Sequence, residues 1–342
     1  AAHMTLKSLL CSAALLALSA PALADHMGPS SVGGGGGLTV SSPDTLDAGH
    51  GSIGVRLTYS RPEHRSNAEL EALAEDGIAA HNTDYNLNAS LGVAYGINHH
   101  LTIAAELPYL RRDDLREGGA GEVERLGSVA GIGDVNILAK YRLTDGDGLG
   151  FALLGGIKLP TGGTHRRSGE GERLETEHQP GTGSWDPLLG AAAGAKLGPL
   201  RMSASALYQF STKGAQNTRL GDRLQGGIAL SHRVGPAAHM HAEPSHNHHH
   251  GDELDEQHEA PAGALWEAFV ELGGEYEGRQ KIAGETEQAS GGTWLYVAPG
   301  ARFSFAANWS AGASVALPLW QDIRASHPDN RYRLMLSLGQ AF

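Results

Sequence analysis

The sequence predicts an all-β fold: a transmembrane antiparallel up-and-down β-barrel of about twelve strands, preceded by a cleaved signal peptide. Three observations lead to this prediction. The N-terminus has the composition of a secretion signal, most of the remaining chain alternates apolar and polar residues with the period of a strand, and the connections between these segments alternate between short and long.

The signal peptide is predicted for residues 1–24. From Met4 the chain carries one lysine, then an apolar stretch, then Ala22-Leu23-Ala24, the small-x-small pattern that signal peptidase cleaves. Cleavage is expected between Ala24 and Asp25, which removes the chain's only cysteine, Cys11. We interpret residues 1–3 as a vector remnant or an upstream start. The mature protein is therefore expected to be exported.

A glycine-rich segment follows, and we predict that residues 25–50 form a flexible N-terminal segment ahead of a barrel domain at 51–342. Five consecutive glycines, 33–37, lack the Gly-Lys-Ser/Thr ending of a phosphate-binding loop. A flexible tether therefore fits them better than a nucleotide site.

Strand periodicity dominates the barrel domain. In the segment 84–97, DYNLNASLGVAYGI, every second residue from Tyr85 to Ile97 is apolar, while the others are polar or small. The segment 131–143 repeats the pattern with charged residues on its polar face. Such a strand fits a soluble sandwich with its apolar face in the core, or a membrane barrel with that face towards lipid.

Strand length and connection length favour the barrel. Twelve strands are predicted at about 51–60, 84–97, 100–112, 131–143, 148–160, 185–197, 199–211, 222–234, 264–277, 293–305, 308–319 and 330–342. Most run ten to fourteen residues, long enough for a tilted strand to cross a bilayer. Long connections, including 61–83 and 111–130, alternate with short turns, as external loops and periplasmic turns do in outer-membrane barrels. A short surface helix is predicted within 66–76, capped by Ser66 or Asn67.

Aromatic residues and the C-terminal residues also favour an outer-membrane barrel. Aromatic side chains collect near the predicted strand ends, as interfacial girdles require. The chain closes on NRYRLMLSLGQAF, whose final Phe342 and alternating leucines are typical of the assembly signal of outer-membrane barrels, with Gln340 as a departure. These features predict the outer membrane of a Gram-negative bacterium as the location and its lipid as a partner.

Four segments resemble those of outer-membrane transporters grouped with the meta pathway of phenol degradation. They are SSPDTLDAGHGSIGVRLTY (41–59), GIGDVNILAKYRL (131–143), GGIKLPTG (155–162) and EHQPGTGSWDPLLGAA (177–192). The resemblance extends over the mature chain from about residue 38. It implies an outer-membrane barrel with a transport role, and it carries no catalytic or binding residues to transfer.

Charge excludes some functions. The chain has 26 basic and 38 acidic residues, a formal net charge of -12, so nucleic acid is not an expected partner. Histidines and acids such as His165, His178, His232 and Asp186 are present, but no spacing joins them into a catalytic motif, so we predict that the protein is not an enzyme. Charges of both signs fall on the polar faces of the strands, where we expect them to pair within a narrow lumen.

The most unusual segment, 239–259, reads HMHAEPSHNHHHGDELDEQHE. The predicted metal ligands are its histidines: His239, His241, His246, His248, His249, His250 and His258. Neutral imidazole suits Zn(II), Cu(II) and Ni(II), and the neighbouring carboxylates can complete a coordination shell. A solvated polar linker or a pH-responsive tether are the alternatives. Counting strands from a periplasmic N-terminus places the connection 235–263 on the periplasmic side, between strands eight and nine.

The sequence thus predicts a channel or transporter for small solutes, connected with heavy-metal handling through the histidine-rich loop. Its expected partners are small solutes or metal ions and periplasmic metal-handling proteins, and no cofactor is required. A channel for hydrophobic or aromatic compounds and a closed barrel that acts as a metal-binding protein are the alternative functions.

Overall fold

A computed structural model describes residues 37–119, 121–144, 148–234, 265–305 and 308–342. Twelve long strands are arranged as a closed antiparallel barrel, and each overlaps one of the twelve predicted segments. They are β1 (Gly51–Pro62), β2 (Tyr85–Asn98), β3 (Leu101–Gly119), β4 (Val135–Arg142), β5 (Gly150–Leu159), β6 (Asp186–Leu197), β7 (Leu200–Gln209), β8 (Arg223–Val234), β9 (Leu265–Glu277), β10 (Gly292–Phe305), β11 (Trp309–Ile323) and β12 (Asn330–Ala341).

Each barrel strand pairs with its neighbours in sequence, and β12 pairs with β1 to close the sheet. The closing register joins Ser52 to Ala341 and Val55 to Leu338, which leaves no free strand edge. At the seam the backbones of Gly51 and Phe342 exchange two hydrogen bonds of 2.8 and 2.9 Å. The predicted fold class is therefore confirmed, and the final phenylalanine is part of the closure.

The outer surface of the barrel is an apolar band. Large side chains on alternate positions, such as Leu91, Val93, Leu272 and Leu336, are 41–53 % exposed although they lie in mid-strand. A soluble protein would bury such residues, whereas lipid is a favourable surrounding for them. The strand periodicity therefore corresponds to lipid on one face and lumen on the other.

Aromatic residues border this band at both ends. Tyr59 stacks against Tyr85 and Tyr332 near the ends of β1, β2 and β12 that carry the long loops. At the opposite end Trp266 and Phe303 approach to 4.5 Å between ring centroids. Two such girdles are typical of outer-membrane barrels, and they give the two interfaces of the hydrocarbon region.

The long loops carry additional structure over one mouth of the barrel. Helix α1 (Asn67–Glu75) begins at the predicted cap Ser66, which forms a capping box with Glu69. Short strands at His81–Asn82, Thr218–Arg219, Lys281–Ile282 and Glu285–Thr286 tie neighbouring loops together. By analogy with other outer-membrane barrels, we call this mouth external and the mouth with the short turns periplasmic.

One predicted loop is a strand instead. The connection predicted at 111–130 was wrong, because β3 continues beyond the barrel to Gly119 and pairs with a strand at Glu122–Ile132. Leu115, Leu126 and Val129 of this arm pack with Leu174 in a small core above the mouth. Interruptions by charged residues and a register shift at Asp114, whose φ is 47°, hid the strand period.

The helices among the described residues are short, and none of them is long and apolar enough to cross a membrane.

Candidate functional site

The lumen is lined by charged side chains that are paired with one another. Arg56 of β1 contacts Glu106 of β3 at 2.8 Å, and Arg333 of β12 contacts Glu275 of β9 at 2.6 Å. Arg302 of β10 donates to Glu267 of β9 at 3.1 Å. All lie on the inward face of their strands, where an unpaired charge would be costly to desolvate. The expected pairing of lumenal charges is confirmed for these residues.

The lumen also contains part of the chain's own N-terminal segment. Residues 37–46, which we call the lumenal segment, lie inside the barrel and reach the periplasmic mouth, where Thr45 donates to the carbonyl of His99 in the β2–β3 turn. Leu38 and Val40 are 1 % and 2 % exposed. Leu38 packs with Phe269, and the two belong to a cluster inside the barrel.

Several wall residues hold the lumenal segment. Glu271 of β9 accepts three hydrogen bonds on one carboxylate oxygen, from the backbone N–H and the hydroxyl of Thr39 and from the backbone N–H of Val40, at 2.8, 2.9 and 2.9 Å. Lys140 of β4 donates to the carbonyls of Ser42 and Asp44 at 3.0 and 3.1 Å.

Other wall residues also contact the segment. Ser205 of β7 accepts from the backbone N–H of Ser41 at 3.0 Å, and Arg302 donates to the carbonyl of Gly37 at 2.9 Å. The strands that hold the segment therefore include β4, β7, β9 and β10, on several sides of the lumen.

Glycines in the wall make room for this segment. A Cβ on Gly312 of β11 would meet Leu38 at 3.0 Å, and a Cβ on Gly194 of β6 would meet Pro43 at 2.8 Å. Gly37 itself lies so close to Glu271 that a Cβ there would overlap the carboxylate. Residues 37–46 of the expected flexible segment 25–50 are thus packed against the barrel, because these small residues and polar side chains accommodate them.

An apolar patch lies on the opposite side of the lumenal wall from the acidic strand β9. Leu138, Leu154 and Leu188 point inward from β4, β5 and β6 and are 3–6 % exposed, and Leu207 of β7 packs against them. A cavity of about 40 Å³ lies between this patch, the lumenal segment and Tyr296. The lumen therefore offers both a charged and an apolar surface.

The external loops are anchored by a buried charge cluster at the ends of β4, β5 and β6. Lys158 contacts Asp134 at 3.0 Å and Asp186 at 2.9 Å, and the three side chains are at most 2 % exposed. Asp134 also accepts from the backbone N–H groups of Gly162 and Thr182 at 2.9 and 2.8 Å. These bonds fix both ends of the β5–β6 loop over the barrel mouth.

Three histidines from three external loops meet above the barrel. His81 precedes β2, His178 ends a 3-10 helix (Thr176–His178) between β5 and β6, and His327 lies between β11 and β12. The ring of His81 packs edge-on against the rings of His178 and His327, with centroids 4.6 Å away in each case. We call these residues the histidine cluster.

Burial governs the protonation of the histidine cluster. Burial lowers the pKa of His81 and His178 well below the usual value, and it lowers the pKa of His327 to about 4. The imidazoles are therefore neutral at pH 7. Burial, together with the carboxylate of Glu175, raises the pKa of the adjacent Glu177 to about 8.

The predicted metal ligands His239, His241, His246, His248, His249, His250 and His258 all lie outside the described residues. The strands that flank them are described: Val234 of β8 pairs with Trp266 of β9 at the mouth that carries the short turns. The connection 235–263 therefore starts and ends at that mouth. The signal peptide at 1–24 also lies outside the described residues.

Sequence reasoning missed both the lumenal segment and the histidine cluster. Leu38 and Val40 alternate with polar residues after the glycines, and this short strand-like pattern was the only available signal. His81, His178 and His327 are about 100 and 150 residues apart and follow no metal-binding spacing. Only the closure of the barrel brings their loops together.

Comparisons with known proteins agree with this architecture. The crystal structure of the COG4313 outer membrane channel from Pseudomonas putida F1 superimposes with a TM-score of 0.58 at 18 % identity, over 87 % of this chain and 97 % of that chain. The NanC porin, at 7 % identity and a TM-score of 0.39, is covered to 98 % by 84 % of this chain. The β domain of the Bordetella autotransporter BrkA, at 10 % identity and a TM-score of 0.47, is covered to 100 % by 86 % of this chain. At 18 % identity, the likeness to the COG4313 channel concerns the fold.

No curated protein sequence matches the chain. The family described as "Putative MetA-pathway of phenol degradation" matches residues 65–322, which is about three quarters of the 342 residues. This match agrees with the resemblance of the four quoted segments, and the chain belongs to this family of outer-membrane barrels.

Proposed function

We propose that the protein is an outer-membrane channel for small solutes, closed in this conformation by its own lumenal segment. The observation that carries the proposal is the insertion of residues 37–46 through the periplasmic mouth, where hydrogen bonds rather than a covalent link or a continuous sheet hold them. Such contacts can be broken without unfolding the barrel, because the sheet closes without them.

The lumenal charges support a path for small solutes. Three arginines of the wall pair with glutamates of the wall and not with the segment, so a displaced segment would leave a polar lumen in which these charges remain paired. A twelve-stranded barrel is intermediate between filled eight-stranded barrels and open sixteen-stranded porins, which limits passage to small molecules.

The test is the single-channel conductance of the refolded mature chain compared with a variant that lacks residues 37–46. We expect rare, brief openings for the intact chain and sustained conductance for the deletion variant. Heat-modifiable migration in electrophoresis checks that both are folded. A folded deletion variant that does not conduct and does not admit small sugars into liposomes would contradict the proposal and favour a closed, metal-binding barrel.

A channel for hydrophobic or aromatic compounds is the second candidate. It is supported by the inward-facing leucines of β4 to β7 and the cavity beside them. The matched test compares the uptake of a phenol and of a sugar of similar size by liposomes that contain the deletion variant. Substituting Leu154 and Leu188 with Asn should slow phenol entry selectively if the patch is the binding surface.

We also propose that the histidine-rich connection binds Zn(II), Cu(II) or Ni(II) on the periplasmic side and links the channel to heavy-metal handling. Support comes from the ligands themselves, seven histidines among carboxylates, and from the position of the flanking strands at the periplasmic mouth. Replacing the seven histidines with Asn should abolish metal binding by this connection. A conductance that responds to Zn(II) equally with and without these histidines would contradict the link to the channel.

A further inference from the structure

We propose that His81, His178, His327 and Glu177 form a second metal site, for a divalent transition-metal ion such as Zn(II), that fastens three external loops over the barrel mouth. This site is at the opposite end of the barrel from the histidine-rich connection and shares no residue with it. It also goes beyond the proposed channel activity, because it concerns the external cap rather than the lumen.

Three potential ligand atoms of this site lie close to one another. One nitrogen of His81, one of His178 and one carboxylate oxygen of Glu177 all lie within 4.8 Å of one another. An ion equidistant from three atoms at this spacing would be at most about 2.8 Å from each, compared with about 2.0–2.2 Å for zinc–nitrogen and zinc–oxygen bonds. Side-chain movements of less than about 1 Å would therefore complete the coordination.

His327 lies next to this group of three and is the candidate fourth ligand. The Nε2 atom of His327 lies 4.0 Å from one carboxylate oxygen of Glu177, and the Nε2 atom of His178 lies 4.0 Å from the other. Glu177 therefore stands between two imidazoles, close to each and hydrogen-bonded to neither at these distances. Three imidazoles and one carboxylate match the donors and the coordination number that zinc takes in proteins.

Two buried nitrogens of the histidine cluster lack hydrogen-bond partners among the described residues. The Nε2 atoms of His81 and His178 are inaccessible to solvent and accept or donate no hydrogen bond among the described residues. Both residues are only 2 % exposed. Leaving a buried polar atom unsatisfied costs about 1–3 kcal/mol, so an ion bound by both imidazoles would remove an unfavourable contribution at each.

Hydrogen bonds to the backbone of the loops position the ligands. The backbone N–H of His81 donates to the carbonyl of Ser326 at 3.0 Å, which joins the first and last external loops. Arg65 donates to the carbonyl of His327 at 2.6 Å. His178 lies at the end of a 3-10 helix whose Thr176 hydroxyl donates to the carbonyl of Ala215 at 3.1 Å. The ligands are thus held near one another before an ion arrives, which reduces the entropy lost on binding.

Metal binding would stabilise the external loops. An ion bound by all four side chains would crosslink the β1–β2, β5–β6 and β11–β12 loops, which noncovalent contacts hold together in the described structure. Local opening of this cap would then require loss of the ion. We therefore expect Zn(II) to protect these loops from proteolysis.

The experiment uses the full mature chain with the seven histidines of segment 239–259 replaced by Asn, so that only other sites remain. Isothermal titration with Zn(II) should give one ion bound per barrel, and Co(II) should give the visible d–d absorption of a low-symmetry site. The substitution Glu177→Gln keeps the shape of the side chain and should weaken Zn(II) binding about 10-fold or more. His178→Asn should weaken it roughly 100-fold.

The matched control is His165→Asn, which removes an exposed histidine from the same β5–β6 loop and should leave the affinity unchanged. Folding of each variant is checked by heat-modifiable migration. If His178→Asn does not fold, then Glu177→Gln and His327→Asn provide the test. No Zn(II) binding by the parent chain would overturn the proposal. Binding that survives both Glu177→Gln and His327→Asn at parental affinity would overturn it as well.

Discussion

The contact between Glu271 and the lumenal segment gives the sharpest prediction. Glu271 is fully buried in the wall of the barrel, and one of its oxygens accepts three hydrogen bonds from Thr39 and Val40. The substitution Glu271→Gln keeps an acceptor oxygen and nearly the same shape. It removes the negative charge that strengthens all three bonds.

The size of the effect follows from these three bonds. A hydrogen bond to a charged group contributes about 1.5–3 kcal/mol, and one between neutral groups contributes about 0.5–1.5 kcal/mol. The difference of about 1 kcal/mol for each bond sums to about 3 kcal/mol. Because each 1.4 kcal/mol is a factor of about ten, the equilibrium between inserted and displaced segment should shift roughly 100-fold towards the displaced form.

The assay is the open probability of single channels in planar bilayers. Glu271→Gln should open far more often than the parent protein and should have the same maximal conductance, since the wall is unchanged. The matched control is Glu106→Gln, which removes a buried lumenal charge that contacts Arg56 and not the lumenal segment. If the two variants open equally often, or if neither differs from the parent, Glu271 does not retain a gating segment.

Three other predictions concern the framework. Asp134→Asn removes one of the two carboxylates that pair with Lys158 and weakens the bonds from Gly162 and Thr182, which should cost about 1.5–3 kcal/mol and speed tryptic cleavage of the β5–β6 loop. Leu336→Arg places a charge on the lipid face of mid-β12 and should lower the free energy of unfolding in lipid vesicles by about 2–4 kcal/mol. Leu70→Ala leaves a cavity on the buried face of helix α1, which should lower the free energy of unfolding by about 2–5 kcal/mol and expose the β1–β2 loop to proteolysis.

Each of these has a control. Glu285→Gln, at an exposed external position, should leave loop cleavage unchanged, and equal cleavage in Asp134→Asn would argue against the anchor. Leu197→Arg, at the periplasmic end of β6, should cost at most about 1 kcal/mol, and equal losses at both depths would contradict the lipid band. Leu70→Met should be nearly neutral, whereas a loss as large as that of the alanine variant would show that burial volume is not the cause.

The barrel was predictable because its strands are defined by residues that are close together in sequence. Alternation of side chains such as Tyr85 to Ile97 follows directly from strand geometry, and strand length follows from the thickness of the bilayer. The N-cap of α1 was predictable for the same reason, since Ser66 and Glu69 bond within one turn. The arm formed by the end of β3 was missed because bulges and charges interrupt the period that such reasoning requires.

The sequence by itself determined the twelve strands, the two faces of the sheet and which residues face lipid, because each depends on neighbours a few positions apart. Only the tertiary structure decided that residues 37–46 lie in the lumen and that His81, His178 and His327 meet above it. The segment reaches Glu271 across more than 200 positions of chain, and the histidines come from three separate loops. The local sequence pattern does not contain such distant contacts. They form because β12 closes on β1, which brings the described loops together at one mouth and encloses residues 37–46.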